Sequence, residues 1–304
     1  MLDRSVLGEN EMKNLRKPVY IGMTMVLMIL VAGCVKESRK TGKKMRSSSP
    51  CERCVELDGF VPSGQIHDDI RKMVGKYQGG GGAENVAIQK ARGVIGTDLV
   101  PDFVGGGDCP EIDSEKWAID YTYKREREAL HKGIDIPQPR GTPIRAVSDG
   151  VIIGKSENKH DRKGIEVMLR HTPDQTGLPF WTYSQYTHLR EMSPLPVGGP
   201  VKMGDEVGKT ANTGKMGKRV RRDALHFAIL YSESPEWSND GVVVTPKDGY
   251  FMDPNAFYRL EPPYDSQSLV KLPMDQKQVP VPYMKADGTL VPADTMRIWP
   301  YACK

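Results

Sequence analysis

The sequence predicts a mainly β protein: a compact antiparallel β-sheet domain with a small helical N-terminal region and an extended C-terminal tail. Three observations predict it. Glycine (31) and proline (23) are plentiful, so turns and short strands are favoured over long helices. From about Trp117 onward, short apolar stretches recur between turn signals. The only stretches that read as helices lie before residue 95. Regularly spaced strands with few helices point to a sandwich or folded sheet, and a 304-residue chain holds one large domain or two small ones.

The N-terminus reads as a targeting segment. Lys13, Arg16 and Lys17 precede an apolar run from Val19 to Ala32, which ends in Val31-Ala32-Gly33-Cys34. That run is short for a bilayer span of about 20 residues. A basic start, a short apolar segment and small residues before a cut describe a signal peptide over residues 1–33, with Met12 the more natural start. The Cys34 that follows resembles a bacterial lipobox cysteine, which becomes lipid-modified. The expected location is therefore outside the cytoplasm, lipid-anchored and facing the periplasm or cell wall, with a lean to the outer membrane. Residues 35–50 read as a basic, polar tether.

Charge is unevenly placed. Residues 1–46 carry ten Lys/Arg against four Asp/Glu, a net of +6, so the rest of a chain of net charge +4 carries −2. The globular part is not basic, which argues against a nucleic-acid partner. Four further cysteines, Cys51, Cys54, Cys109 and Cys303, allow three disulfide pairings in an exported protein. Cys51-Glu-Arg-Cys54 has redox-motif spacing but no βαβ pattern around it, so a structural bridge is expected. A Cys109–Cys303 bond would tie together the two ends of the main domain.

Residues 51–115 form an accessory region without recognisable chemistry, in which Ile66–Tyr77 and Glu84–Val94 are the expected helices. In the main domain, residues 116–262, Pro143–Val147 and Val151–Ile153 flank Ser148-Asp149-Gly150, an Asp-Gly hairpin signal. Gly164–His171 alternates apolar and polar residues. Trp181–Leu189 and Ala224–Tyr231 are further strands, and Val201–Val207 has turn chemistry at its centre. Residues 263–304, with Pro263, Pro273, Pro280 and Pro282, form a Pro-rich tail expected to wrap over the domain.

Two stretches carry chemistry. Ala129–Pro137 holds His131 and Asp135, and Ala224–Ile229 holds His226. Two imidazoles and a carboxylate suit three legs of a tetrahedral Zn²⁺ site whose fourth position takes water. In an extended strand residues four apart share a face, so His131 and Asp135 would meet one ion. Such an open site yields a hydroxide-like nucleophile and polarises a carbonyl. By contrast, His67, His160 and His171 read as structural or surface residues.

The order of motifs then resembles the lysostaphin/LytM-type zinc metallopeptidases, whose typical members cut peptide cross-links in bacterial peptidoglycan. The resemblance rests on His131-Lys-Gly-Ile-Asp135-Ile-Pro, Gly141-Thr-Pro-Ile-Arg-Ala146 and Asp149-Gly150-Val151. It continues through Tyr186-Thr-His188-Leu189, Gly204-Asp-Glu-Val-Gly208, Thr213-Gly214, Leu225-His226-Phe227, and a closing Asp253-Pro254 with Tyr258-Arg-Leu260. It implies a LytM-like fold, Zn²⁺ held by His131, Asp135 and His226, a catalytic His188 that positions the attacking water or stabilises the tetrahedral oxyanion, and peptidoglycan as substrate.

One departure bears on activity. The family ends its site in His-x-His, and here the first position is Ala224. Alternation puts Ala224 on the face of His226, where a methyl group neither accepts nor donates a proton. Asp223 faces the other way in a regular strand. The expectation is a zinc endopeptidase acting on peptidoglycan, slow or inactive because of Ala224. The alternative is a LytM-like domain that binds peptidoglycan or regulates another cell-wall hydrolase through a protein partner.

Overall fold

The computed structural model describes residues 53–74, 83–113, 124–125, 129–158, 163–214, 222–241 and 244–304. Cys34, Cys51, His160, the signal peptide and the tether lie outside them. Two short helices come first, α1 (Asp68–Val74) and α2 (Ala83–Ala91), followed by β1 (Val100–Phe103), β2 (Lys124–Arg125) and β3 (Ala129–Leu130). Then come β4 (Ile134–Pro137), β5 (Pro143–Arg145), β6 (Gly150–Asn158) and β7 (Gly164–His171). A single turn, α3 (Pro173–Thr176), precedes β8 (Trp181–Thr187), β9 (Pro200–Val201), β10 (Glu206–Lys209) and β11 (Ala224–Ser232). The chain closes with β12 (Trp237–Asn239), β13 (Val244–Pro246), β14 (Tyr250–Met252), α4 (Ser266–Leu269), β15 (Gln278–Val281), β16 (Tyr283–Met284) and β17 (Leu290–Val291).

The mainly β, antiparallel expectation holds. A sheet in the order β14-β11-β8-β7-β6-β9 forms the centre, and β4 also pairs with β11. Both β4 and β14 lie along β11, β4 against Ala224–Phe227 and β14 against Ile229–Tyr231. Because cross-strand partners share a face, the register fixes one row across the sheet: Asp135, His226, Thr187 and Glu166. Tyr186 and Phe227 occupy the opposite face, with ring centroids 5.5 Å apart. Each such ring removed from water contributes roughly 1.5–3 kcal/mol.

Two local expectations are corrected. The Asp149-Gly150 pair does not turn a hairpin between β5 and β6. β5 pairs with β10, while β6 pairs with β7 and β9. The Asp149 carboxylate instead accepts from Met203 N (2.8 Å) and Lys202 Nζ (2.7 Å), closing the turn between β9 and β10. And β7, whose alternating sequence suggests one wet face, is buried along its whole length. Its polar members stay buried because they are paired: Glu166 accepts from Gln185 Nε2 at 2.9 Å, and Arg170 bonds Asp58 at 2.6 Å while lying over the Trp181 ring.

The segments on either side of the sheet share its core. Val61, Ile66 and Ile70 before it, and Val279, Trp299 and Tyr301 after it, belong to one hydrophobic cluster. β1 and β15 pair in parallel. Cys109 and Cys303 form a disulfide, beside which Lys304 N bonds Asp108 O at 3.0 Å and Trp299 Nε1 bonds Pro110 O at 2.8 Å. Cys54 is also disulfide-bonded, to a partner outside the described residues. Among the described residues, no helix is long and apolar enough to cross a membrane.

Candidate metal centre

His131, Asp135 and His226 converge. His131 Nε2 lies 2.9 Å from His226 Nδ1, His226 Nδ1 lies 2.8 Å from Asp135 Oδ1, and His131 Nε2 lies 3.4 Å from Asp135 Oδ1. Asp135 and His226 are direct cross-strand partners, which sets their side chains together on one face. His131 arrives differently from the expectation. It lies not on a strand shared with Asp135 but in the irregular link of residues 131–133 between β3 and β4. Gly133 makes that link possible. A Cβ there would sit 2.3 Å from Phe227 O and 3.0 Å from both Cε1 and Nε2 of His226.

The trio fits a cation. Ligand atoms around a tetrahedral zinc with bonds of about 2.0–2.1 Å lie about 3.3 Å apart, close to the three spacings. Two imidazole nitrogens and a carboxylate oxygen meeting at such distances make a set of acceptors that only a shared proton or cation reconciles. Asp135 Oδ2 is buried with no hydrogen-bond partner, an arrangement that costs about 1–3 kcal/mol or more for a charged group without a compensating positive charge. Burial alone would push the Asp135 carboxyl up, but His131 and His226 outweigh it and hold it well below the usual carboxylate range. The carboxylate therefore stays ionised, as a ligand must.

His188 stands beside the trio, its ring centroid 5.9 Å from that of His226. It directly follows β8, and its φ of +67° departs from the strand. Thr187, in register with His226, faces the trio, so simple alternation would turn residue 188 away. The left-handed backbone, uncommon outside glycine but tolerated by histidine, breaks that alternation. The residue is then gripped from three sides. His188 N donates to Lys163 O (3.1 Å), Leu189 N donates to Ile165 O (3.1 Å), and the ring Nδ1 meets Thr213 O at 2.9 Å. A carbonyl only accepts, so Nδ1 carries the proton and a neutral ring offers Nε2 as the base.

Ala224 is buried on β11, opposite Pro137, two residues from His226 and on its face. Asp223 stays outside the cluster, with Arg140 at 3.3 Å. His171 is buried elsewhere, between Asp149 O and Ser184 Oγ, and His67 is exposed beside Asp69.

Sequence reasoning missed Asp113 and Arg222. The Asp113 carboxylate is buried and takes Nε and Nη2 of Arg222, while its backbone N–H bonds Asp135 O at 2.8 Å. Nothing local announces a pairing across 109 residues. Thr213 was visible only as half of a Thr-Gly motif, without its grip on His188.

A family model described as peptidase family M23 matches residues 129–237. Among curated proteins, DD-carboxypeptidase/endopeptidase Mpg of Neisseria meningitidis is 37% identical over 106 residues, 35% of this chain and 21% of that protein. Peptidoglycan DD-endopeptidase ShyA of Vibrio cholerae is 29% identical over 131 residues, 41% of this chain and 27% of that one. The similarity thus spans about a quarter or less of those relatives' length. Among solved structures, the catalytic domain of lysostaphin from Staphylococcus simulans is 26% identical, covering 36% of this chain and 73% of that chain, with a TM-score of 0.29. LytU is 23% identical, covering 53% and 90%, with a TM-score of 0.34. The family match spans the segment that carries His131, Asp135, His188 and His226, so residues 129–237 of this chain are similar to peptidase family M23.

Proposed function

We propose that this chain is a zinc-dependent endopeptidase that hydrolyses peptide bonds in bacterial peptidoglycan. The observation that carries the reading is the convergence of His131 Nε2, Asp135 Oδ1 and His226 Nδ1 within 2.8–3.4 Å, with His188 alongside. These three residues would hold the ion. When bound, zinc lowers the pKa of water and polarises a carbonyl. His188 does the proton work. Its Nε2 accepts a proton from the attacking water and returns it to the departing amine, while Thr213 O fixes the ring.

The similarity to peptidase family M23 supports peptidoglycan as substrate, and the relatives' names point to bonds of the DD class. The Cys109–Cys303 disulfide suits an oxidising compartment outside the cytoplasm, in keeping with the export and lipid anchor read from Cys34.

Ala224 favours a second reading, a disarmed domain that binds peptidoglycan or regulates a partner hydrolase. General acid–base assistance is worth about 10²–10⁴ in rate, so loss of one imidazole leaves a slow enzyme or a nearly inert one. Release of soluble muropeptides from purified sacculi by the zinc-loaded protein decides between them. Release by the parent chain but not by His188→Ala establishes the peptidase. A silent parent with an active Ala224→His variant establishes the disarmed domain.

A further inference from the structure

We propose that Gln89 is a positioning residue for His131, so that helix α2, which lies outside the segment similar to family M23, completes the metal centre. This rests on the metal-site reading above and gives the accessory region a part in it.

The three candidate ligands are not held alike. Asp135 and His226 face each other across the ladder of β4 and β11. His131 has no place in that ladder. It follows β3, a two-residue strand whose partner is β2 and which stands apart from the central sheet. An isolated two-stranded hairpin is marginally stable in water, so the backbone that enters His131 needs a tie from elsewhere.

Gln89 supplies it. Its Oε1 accepts from Leu130 N at 2.8 Å, across 41 residues of sequence, and Gln89 is only 2% exposed. A buried N–H and a buried amide oxygen are each costly to leave unpaired, which makes this bond a fixed point one residue before the ligand.

The end of α2 is in turn fastened to the sheet that carries His226. Gly93 N bonds Lys90 O at 3.1 Å and Val94 N bonds Gln89 O at 2.9 Å, closing the helix. The closing turn lies so near β14 that a Cβ on Gly93 would sit 2.3 Å from Phe251 O, and Phe251 N donates to Arg92 O at 2.8 Å. Phe251 is the cross-strand partner of Leu230 on β11, four residues from His226.

A closed circuit results. It runs from His226 along β11 to Leu230, across to Phe251, and through the end of α2 to Gln89. From there it crosses to Leu130 and returns through His131 to His226, where the ring nitrogens stand 2.9 Å apart. Lys132, the next residue, spans the same gap, its Nζ 5.5 Å from the centroid of the Phe251 ring. The separation of the two imidazoles is therefore set by the protein, which is how surrounding groups orient metal ligands.

Zinc affinity of the full chain, measured by chelator competition, tests this apart from any turnover. Gln89→Met keeps the volume and removes the acceptor. It is expected to bind zinc about tenfold or more weakly, the usual cost of disturbed support for a ligand. Gln89→Glu returns an oxygen to the same reach and is expected to keep the parent's affinity. Ile70→Val removes a buried methyl from α1 of the same region, so it is expected to lower the denaturation midpoint at unchanged zinc affinity. Cobalt in place of zinc gives a visible spectrum that reports coordination, and of these variants only Gln89→Met is expected to shift it. If Gln89→Met does not fold, Gln89→Asn, one methylene short of Leu130 N, carries the same expectation. The parent's affinity in Gln89→Met overturns the proposal and leaves the metal-site reading standing, as does an equal loss in Gln89→Glu or in Ile70→Val. A parent chain that takes up no zinc overturns both.

Discussion

The Nδ1 of His188 lies 2.9 Å from the carbonyl oxygen of Thr213, a residue 25 positions away whose own hydroxyl ties β7 to the segment that follows β8. Thr213 Oγ1 accepts from Ile165 N at 3.1 Å and donates to Leu189 O at 2.8 Å. A Cβ on Gly164 would meet the Thr213 backbone at 2.4–2.6 Å, so this grip depends on a glycine with φ of +68°. One residue thus joins the start of β7, the segment just after β8 and the ring of His188.

Thr213→Val separates these roles. The carbonyl remains, so His188 keeps its Nδ1–H tautomer, which long-range ¹H–¹⁵N spectra of the imidazole report. The Ile165 N–H loses its acceptor, and the variant is expected to be about 1–3 kcal/mol less stable in denaturant. A variant in which the Nε2–H tautomer became dominant contradicts the grip described above.

Gly133→Ala is the sharper test of the metal centre. Its Cβ cannot be accommodated 2.3 Å from Phe227 O without moving the chain between His131 and Asp135, and it presses on the His226 ring. Zinc affinity measured by chelator competition is expected to fall at least about tenfold, in the range usual for disturbed ligand orientation. Unchanged affinity would show that residues 131–133 are freer than the packing indicates.

How much of this was legible in the sequence depends on range. His131, Asp135 and His226 could be named because their residue types restrict the chemistry, and β8 and β11 because apolar runs bounded by turn residues announce strands. The route by which His131 reaches Asp135 was misread, since strand periodicity does not reveal a break that Gly133 permits. Asp149-Gly150 misled because the hairpin signal is local, whereas the partner that claims β5 is β10, about 60 residues on. Asp113 with Arg222, and His188 with Thr213, are decided by tertiary contacts with no periodic signature. Burial of β7 depends on partners such as Asp58, which holds Arg170 and which no window around Gly164–His171 contains.

Two buried groups make opposing contributions to acid stability. Burial pushes the His171 imidazole down to about 4, although the Asp149 carbonyl at Nδ1 favours its charged form. A depressed histidine is neutral in the fold, so its contribution is complete above the unfolded value of 6.5 and is lost as pH falls toward 4. Burial raises Asp253 to about 6 despite bonds from Thr97 and Asn255. Its contribution runs the other way, complete below 3.8 and lost as pH rises through 6. Each amounts to on the order of 3 kcal/mol, and over pH 4–6 the two largely cancel. Asp253→Asn removes one side of the balance. Its unfolding free energy is expected to fall more steeply than the parent's between pH 6.5 and 4, whereas that of His171→Gln is expected to rise relative to the parent. Parallel curves for all three chains would show that neither group is as deeply desolvated as the fold places it.

The Cys109–Cys303 bond closes a loop of 194 residues that contains the whole central sheet. A cross-link of that length restricts the unfolded chain far more than the folded one, and removal of such bonds costs about 2–5 kcal/mol. In the folded chain the same two segments are already joined by Lys304 N to Asp108 O, by Trp299 Nε1 to Pro110 O and by the Phe103–Trp299 ring contact. The native arrangement should therefore survive the loss of the covalent bond. The double variant Cys109→Ser with Cys303→Ser is expected to retain zinc affinity and the His188 tautomer while its denaturation midpoint falls by that amount. If zinc affinity collapsed together with stability, the bond would be holding the segment from Cys109 to Asp113 against β4, and with it the backbone of Asp135.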